Sequence, residues 1–191
     1  MIILSNVYDF DGTIYNGSSP LDFVLFCVRK KPKLLLTSSG KALVGFILYV
    51  AHIISKEKCK SMAFSFLKHI DAESLLDDFW DKKRHKIKSW YLEQKENTDI
   101  IISASPEFLL KPICEELGVI LIGSIVDIKT GATFGKNNSG EQKVKRLFSA
   151  FPDIEVNKFY TDSKIDLPLA KISKEPFLVK RLHEPRRLKI V

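Results

Sequence analysis

The run from Ile2 to Ile14 limits what this chain can fold into more than any other stretch. An apolar, β-prone segment ends in Asp9-Phe10-Asp11, followed by Gly12 and Thr13. Aspartate is disfavoured inside strands, so the pair belongs just past a strand end. Side chains at i and i+2 of an extended chain point the same way, which lets Asp9 and Asp11 converge on one point. Gly12 then permits a sharp turn. Two carboxylates held close repel each other, and they call for a cation or a raised pKa on one member. A hard cation such as Mg²⁺ takes oxygen ligands, commonly one or two carboxylates with a substrate phosphate. The plainer alternative is an Asp-Gly turn between two strands. An EF-hand loop does not fit, because its fifth position is Thr13.

Three later stretches bear on that choice. Asp99 to Ser103 reads as a second short apolar strand ending in a hydroxyl. Ser139-Gly140-Glu141-Gln142-Lys143 places a lysine in the first turn of a helix. Phe159 to Thr161 is a strand end followed by Asp162 and Asp166. In this order the set resembles the haloacid dehalogenase-like hydrolase superfamily, and it is far more specific than any one part. The resemblance covers residues from about Met1 to Ile14 and from Asp99 to about Val179, and it is weaker between them.

At 191 residues the chain suits one α/β domain with a small insertion. Its 45% hydrophobic and 28% charged content is that of an ordinary folded globular protein. The net charge of +7 favours anionic partners, although a solvated basic face accounts for it equally well. Cys27, Cys59 and Cys114 are widely spaced and form no zinc or CxxC pattern, which predicts buried, reduced thiols in a cytoplasmic protein. No basic segment precedes the N-terminal apolar run, so no signal peptide is expected. Leu34 to Ile54 is mostly apolar but broken by Thr37, Ser38, Ser39, Lys41 and His52. It predicts a buried or interface-lying helix rather than a membrane-spanning one.

Between Leu21 and Leu92 the apolar residues repeat at helical spacing and give no strand signal. Leu21, Val24, Leu25 and Val28 form a first stripe. Ala42 to Ile54 forms a second helix. Cys59, Met62, Ala63, Phe66, Leu67 and Ile70 form a third stripe, and Asp71 caps a fourth helix. Beyond Thr98 the pattern alternates. Ser105 is expected as a helix cap with Pro106 in the first turn, and Gly118 stops that helix. Val119 to Ile122 is a third strand, and Ile125 to Phe134 a hairpin. Ser139 to Gln142 fits a capping box. Strand four is expected at about Lys158 to Thr161, a short helix at Leu167 to Ile172 and a fifth strand at Phe177 to Val179. A basic surface tail follows. The expectation is an α/β fold, with a doubly wound, mostly parallel, Rossmann-like sheet at residues 1–15 and 97–191. An all-helical cap spans residues 16–96. Ligands bind at the carboxyl ends of such strands, where Asp9, Asp11, Ser103 and Asp162 are expected.

The resemblance implies phosphomonoester hydrolysis. Asp9 is then the nucleophile and forms an aspartyl-phosphate, with Asp11 as general acid and later base. Mg²⁺ is held by Asp9, Asp162 and the backbone carbonyl of Asp11, with Asp166 supporting the metal site. Ser103 and Lys143 hold phosphate oxygens. Asp11 argues against a dehalogenase, which lacks an acid there. Each assignment has a plain counterpart: Ser103 as a strand-end hydroxyl, Asp166 as the cap of the helix at Leu167, and Lys143 as a solvated lysine with Lys136 as its rival.

The helical insert and the run from Asp162 to Leu169 resemble the phosphoserine-phosphatase-like branch. The glutamate expected to bind an amino group is absent: residues 16–20 carry no acid, and Asp22 is the first. Arg29-Lys30-Lys31-Pro32, followed by apolar helices, resembles the phosphatidylglycerophosphatases. The expected partner is therefore a phosphorylated small molecule or lipid, with peripheral contact to an anionic membrane through the cap. Nucleic acid is not expected, because Trp80, Trp90 and Tyr91 fall on the apolar stripe. The alternatives are a phosphomutase and a non-catalytic phosphate-binding or phospho-accepting module.

Overall fold

The computed structural model describes residues 3–34, 64–180 and 185–188. Its strands are β1 (Ile3–Tyr8), β2 (Ile100–Pro106), β3 (Ile120–Val126), β4 (Thr133–Phe134), β5 (Ile154–Thr161), β6 (Glu175–Leu178) and β7 (Arg186–Arg187). Its α-helices are α1 (Ser19–Lys30), α2 (Leu76–Lys83), α3 (Ser89–Gln94), α4 (Glu107–Leu117), α5 (Glu141–Ala150) and α6 (Leu167–Ile172). The strands form one sheet in the order β4-β3-β2-β1-β5-β6-β7. The five central strands run parallel, and only the two-residue edge strands β4 and β7 run antiparallel. This is the Rossmann-like α/β fold expected.

Alternation along the strands feeds two hydrophobic clusters, one on each face. Tyr8, Ile101 and Tyr160 join one cluster with α1, α2 and α4. Val7, Ile100, Ile102 and Phe159 join the other, with Leu147 of α5 and Leu169 of α6. Helices on both faces are what a parallel sheet needs, since both of its faces must leave water. Val156 and Phe159 lie in the same cluster despite their odd spacing. The register with β1 slips there, Ser5 pairing with Val156 and Val7 with Phe159, so β5 carries one extra residue.

Several expectations need correction. The buried face of α1 is Phe23, Phe26 and Cys27, while Leu21 and Leu25 are exposed. The aromatic rings set the orientation: Phe23 and Phe26 lie 5.2 and 5.7 Å from Phe79 of α2. The fourth helix is not continuous, but broken into α2, α3 and 3₁₀ turns at Glu73–Leu75 and Arg84–Lys86. Phe66 and Leu67 of the third stripe sit in a 3₁₀ helix, Ser65–His69. Strands β2, β3 and β5 are longer than expected, and β2 runs past Ser103 to Pro106. Pro106 ends β2 and precedes α4 rather than standing in its first turn. The hairpin stands, with Ile125 opposite Phe134. The tail's Arg186 and Arg187 are exposed, as expected, but they form β7. The expected Ala42–Ile54 helix, the Leu34–Ile54 membrane segment beyond Leu34, and Cys59, Met62 and Ala63 lie outside the described residues. Among the described residues no helix is long and apolar enough to cross a membrane.

Candidate active site

The parallel strands end at one edge of the sheet, and their first loop residues converge there. Asp9 follows β1, and its backbone N–H donates to Tyr160 O of β5 at 2.9 Å. Ser103 lies where the β2–β3 register shifts after Ile102, just past the regular ladder. Lys143 sits in the first turn of α5. A cavity of about 110 Å³ is lined by Asp9, Asp11, Ser103, Ala104, Ser139, Lys143, Ser163, Ile165 and Asp166. Five of the six expected site residues therefore share one cavity.

The sixth, Asp162, follows β5 and is exposed. Its carboxylate lies against the loop after Asp9, where a Cβ on Gly12 would fall 2.0 Å from Asp162 Oδ2. Gly12 has φ +74°, so the turn and the close approach both require glycine. Thr13 completes this contact, its Oγ1 accepting from the Asp162 N–H at 3.0 Å.

Lys143 is almost fully buried, and its Nζ donates to Asp9 Oδ1 and to Asp166 Oδ2, each at 2.7 Å. Lys136, the rival, is exposed in the turn after β4 and lines a separate hollow with Phe134. Asp166 does not cap α6 with its side chain. Its Oδ1 accepts from the Gly140 N–H at 2.9 Å and its Oδ2 from Thr161 Oγ1 at 3.3 Å. The expected capping box of α5 is thus replaced: Gly140 is the cap residue, without a side-chain bond, and an acid from across the site serves the helix end. Asp166 fixes the first turn of α5, and this aims the Lys143 ammonium at Asp9.

Burial pushes the Asp9 carboxyl up to about 7; Lys143 pulls against this, while Asp166 and Asp162 add to it. Burial works against the Lys143 ammonium, but Asp9 and Asp166 outweigh it and hold its pKa above the ordinary lysine value. Packing against the Gly12 loop takes water from one side of the otherwise exposed Asp162 carboxyl and raises its pKa, with repulsion from Asp166 and Asp11 adding to the effect against Lys143.

Asp11 is held from two sides. Ser19 N–H, at the start of α1, donates to its Oδ1, and the Ser105 hydroxyl donates to its Oδ2. Ser105 is therefore a site residue, not the helix cap expected. Its spacing two residues beyond Ser103 was the available signal, since such residues share a side in extended chain. Lys88 is a second residue missed. Its Nζ donates to Gly12 O at 2.8 Å, and its backbone N–H to Ile14 O at 2.8 Å. Nothing local in the sequence marks it.

Among the described residues no three carboxylate, imidazole or thiol groups cluster as a metal cage. The expected set asks for less: two carboxylates, Asp9 and Asp162, and the carbonyl of Asp11. Asp162 is close enough to both Asp9 and Asp11 for the charges to repel. That repulsion, in an all-oxygen donor set, fits a hard divalent cation.

The fold has relatives among solved structures. A protein of unknown function from Bordetella pertussis Tohama I superposes with a TM-score of 0.74 at 18% identity, over 92% of this chain and 89% of that one. A probable phosphoserine phosphatase from Vibrio cholerae gives 0.60 at 15% identity, over 90% of this chain but only 55% of the other. A phosphoserine phosphohydrolase-like protein from Francisella tularensis gives 0.55 at 16%, over 92% and 86%. These likenesses concern the fold. No curated protein matches the sequence significantly. The profile of one family matches residues 7–171, most of the chain. With that match, the chain belongs to the haloacid dehalogenase-like hydrolases.

Proposed function

We propose that this hydrolase is a Mg²⁺-dependent phosphatase that cleaves a phosphomonoester through an aspartyl-phosphate on Asp9. The observation that carries the reading is the Lys143 ammonium, buried between Asp9 and Asp166 at the strand ends. A dianionic phosphoryl group needs positive charge and donors fixed before it arrives, because reorganising them later raises the barrier. Lys143 and the Ser103 hydroxyl supply them from this chain.

The steps follow from the positions of the acids. An Asp9 oxygen attacks phosphorus, the bond to the leaving oxygen breaks, and Asp11 gives that oxygen a proton. Water then attacks the aspartyl-phosphate and passes a proton to Asp11. Inorganic phosphate leaves, and Asp9 is restored. Ser105 and the Ser19 N–H orient Asp11 for both transfers. Asp9, Asp162 and the Asp11 carbonyl would hold Mg²⁺, which when bound adds positive charge at the phosphate oxygens.

Residues 1–15 and 97–191 act as the catalytic core, and residues 16–96 as a helical cap of the phosphoserine-phosphatase-like branch. Fold similarity to the Vibrio protein supports the branch. Phosphoserine itself is disfavoured, because Asp22, the first acid after the motif, is already held by Tyr15 Oη at 2.6 Å and by Lys86. The substrate is instead a small metabolite or a lipid phosphate. Buried thiols at Cys27 and Cys114 support a cytoplasmic place. Contact of the cap with an anionic membrane is part of the proposal, through a segment outside the described residues. The test is hydrolysis of a panel of small and lipid phosphomonoesters with Mg²⁺ or EDTA. Turnover of at least one ester, lost in EDTA, is expected. Mg²⁺-independent turnover, or none across the panel without Mg²⁺ binding, contradicts the reading.

A further inference from the structure

A second concave site lies between α1 and α2. Phe26, Arg29 and Lys30 of α1 and Lys82 and Lys83 of α2 line it with Asp22, enclosing about 390 Å³. It shares no lining residue with the catalytic cavity. Four cations face one carboxylate here. The neighbours balance them only in part: Lys83 and Lys86 both turn to Asp22, and Lys30 reaches Asp78 at 2.8 Å, whose charge also attracts Lys82. Among the described residues, Arg29 and Lys82 form no ion pair within 4 Å.

Long, flexible lysines ordinarily spread apart on a surface, since convergence costs both repulsion and side-chain entropy. These are gathered instead. The ammonium groups of Lys30 and Lys82 lie 5.7 and 5.4 Å from the centroid of the same ring, Phe26. The ring attracts each ammonium without removing its charge, although Lys30 is also paired with Asp78. The Phe26 ring is itself fixed, packed edge-on against Phe79 at 5.7 Å. The result is a pre-formed basin of surplus positive charge, with a volume in the range of small-molecule sites. Its concavity suits a compact solute better than a flat, charged bilayer.

We propose that this pocket binds a small, soluble ligand bearing several negative charges, of the organic di- or polyphosphate class. The ligand would bridge Arg29 and Lys82, the two cations without an ion pair among the described residues, with Lys30 beside them at the Phe26 ring. The inference does not rest on the catalytic reading.

Calorimetry with inorganic tripolyphosphate tests it, in EDTA, on the full chain carrying Asp9→Asn so that no turnover intervenes. Saturating orthophosphate is added to occupy the catalytic cavity. One tripolyphosphate per chain is expected to bind in the presence of orthophosphate and to weaken as salt rises. Arg29→Gln with Lys82→Gln is expected to weaken it about 10-fold or more, the loss of two charge-assisted contacts. Arg29→Lys with Lys82→Arg keeps the charges and is expected to retain binding. Equal affinity in the Gln variant overturns the proposal, as does full displacement by orthophosphate. Binding to phosphatidylglycerol vesicles, lost in the Gln variant, with no tripolyphosphate binding overturns it too, because the surface is then a membrane contact.

Discussion

Lys143 Nζ stands 2.7 Å from Asp9 Oδ1 across 134 residues of chain. Both groups are buried, and Asp166 completes the set from the other side. One ammonium therefore holds two carboxylates that would otherwise repel in a dry site. Removing it by Lys143→Met should lower kcat about 10²–10³-fold and destabilise the fold by about 3–5 kcal/mol, the usual cost of orphaning a buried charge. Urea unfolding beside steady-state kinetics checks both. A variant as stable as the wild type would contradict the arrangement.

The same triad sets the pH dependence. Attack requires the Asp9 carboxylate, and burial raises its pKa to about 7. Below that value Asp9 of the metal-free protein is protonated, and a bound cation favours the carboxylate, so the acid limb of kcat/KM should lie at or below about pH 7. Asp166 pushes the Asp9 carboxyl up, so Asp166→Asn should move the acid limb to lower pH. Residual activity in Lys143→Met should show the limb displaced upward, because the opposing pull is gone. Profiles that coincide for all three proteins would refute Asp9 as the titrating group.

Gly12 tests the place of Asp162. Alanine there puts a Cβ 2.0 Å from Asp162 Oδ2 at φ +74°, so Asp162 must move. Mg²⁺ affinity should fall about 10–100-fold, as when the support of a metal ligand is lost. The left-handed backbone should cost only about 1–2 kcal/mol, leaving the fold intact. A Mg²⁺ titration unchanged by Gly12→Ala would remove Asp162 from the metal site.

Lys88 ties the helical segment to the catalytic loop. Its bond to Gly12 O is joined by Asn16 N–H donating to Lys86 O at 2.8 Å, a short clasp along residues 12–16. Lys88→Met should lower kcat about 10-fold or more through a misplaced loop. KM for a small aryl phosphate should change little. An unaltered kcat would show that the clasp does not position the site.

The sequence made the sheet legible because strands and helices announced themselves by period. Asp9, Lys143 and Asp166 were legible because each stands at an element's end, and Ser103 because it closes the apolar run Ile100–Ile102, although β2 continues to Pro106. What escaped was set by contacts distant in sequence. Lys88 acts on a carbonyl 76 residues away, and Asp166 serves a helix end 26 residues before it. The face of α1 escaped because Leu21 and Leu25 fit a helical stripe as well as Phe23 and Phe26 do. Only the packing against Phe79 decides between them.

The central claim is that Asp9 is the nucleophile of a Mg²⁺-dependent phosphatase. Its most direct test is phosphate release from an aryl phosphate by the wild type and by Asp9→Asn, each with Mg²⁺ and with EDTA. The account predicts wild-type turnover that EDTA abolishes, and a loss of about 10³-fold or more in Asp9→Asn with the fold preserved. Substantial turnover by Asp9→Asn would contradict it.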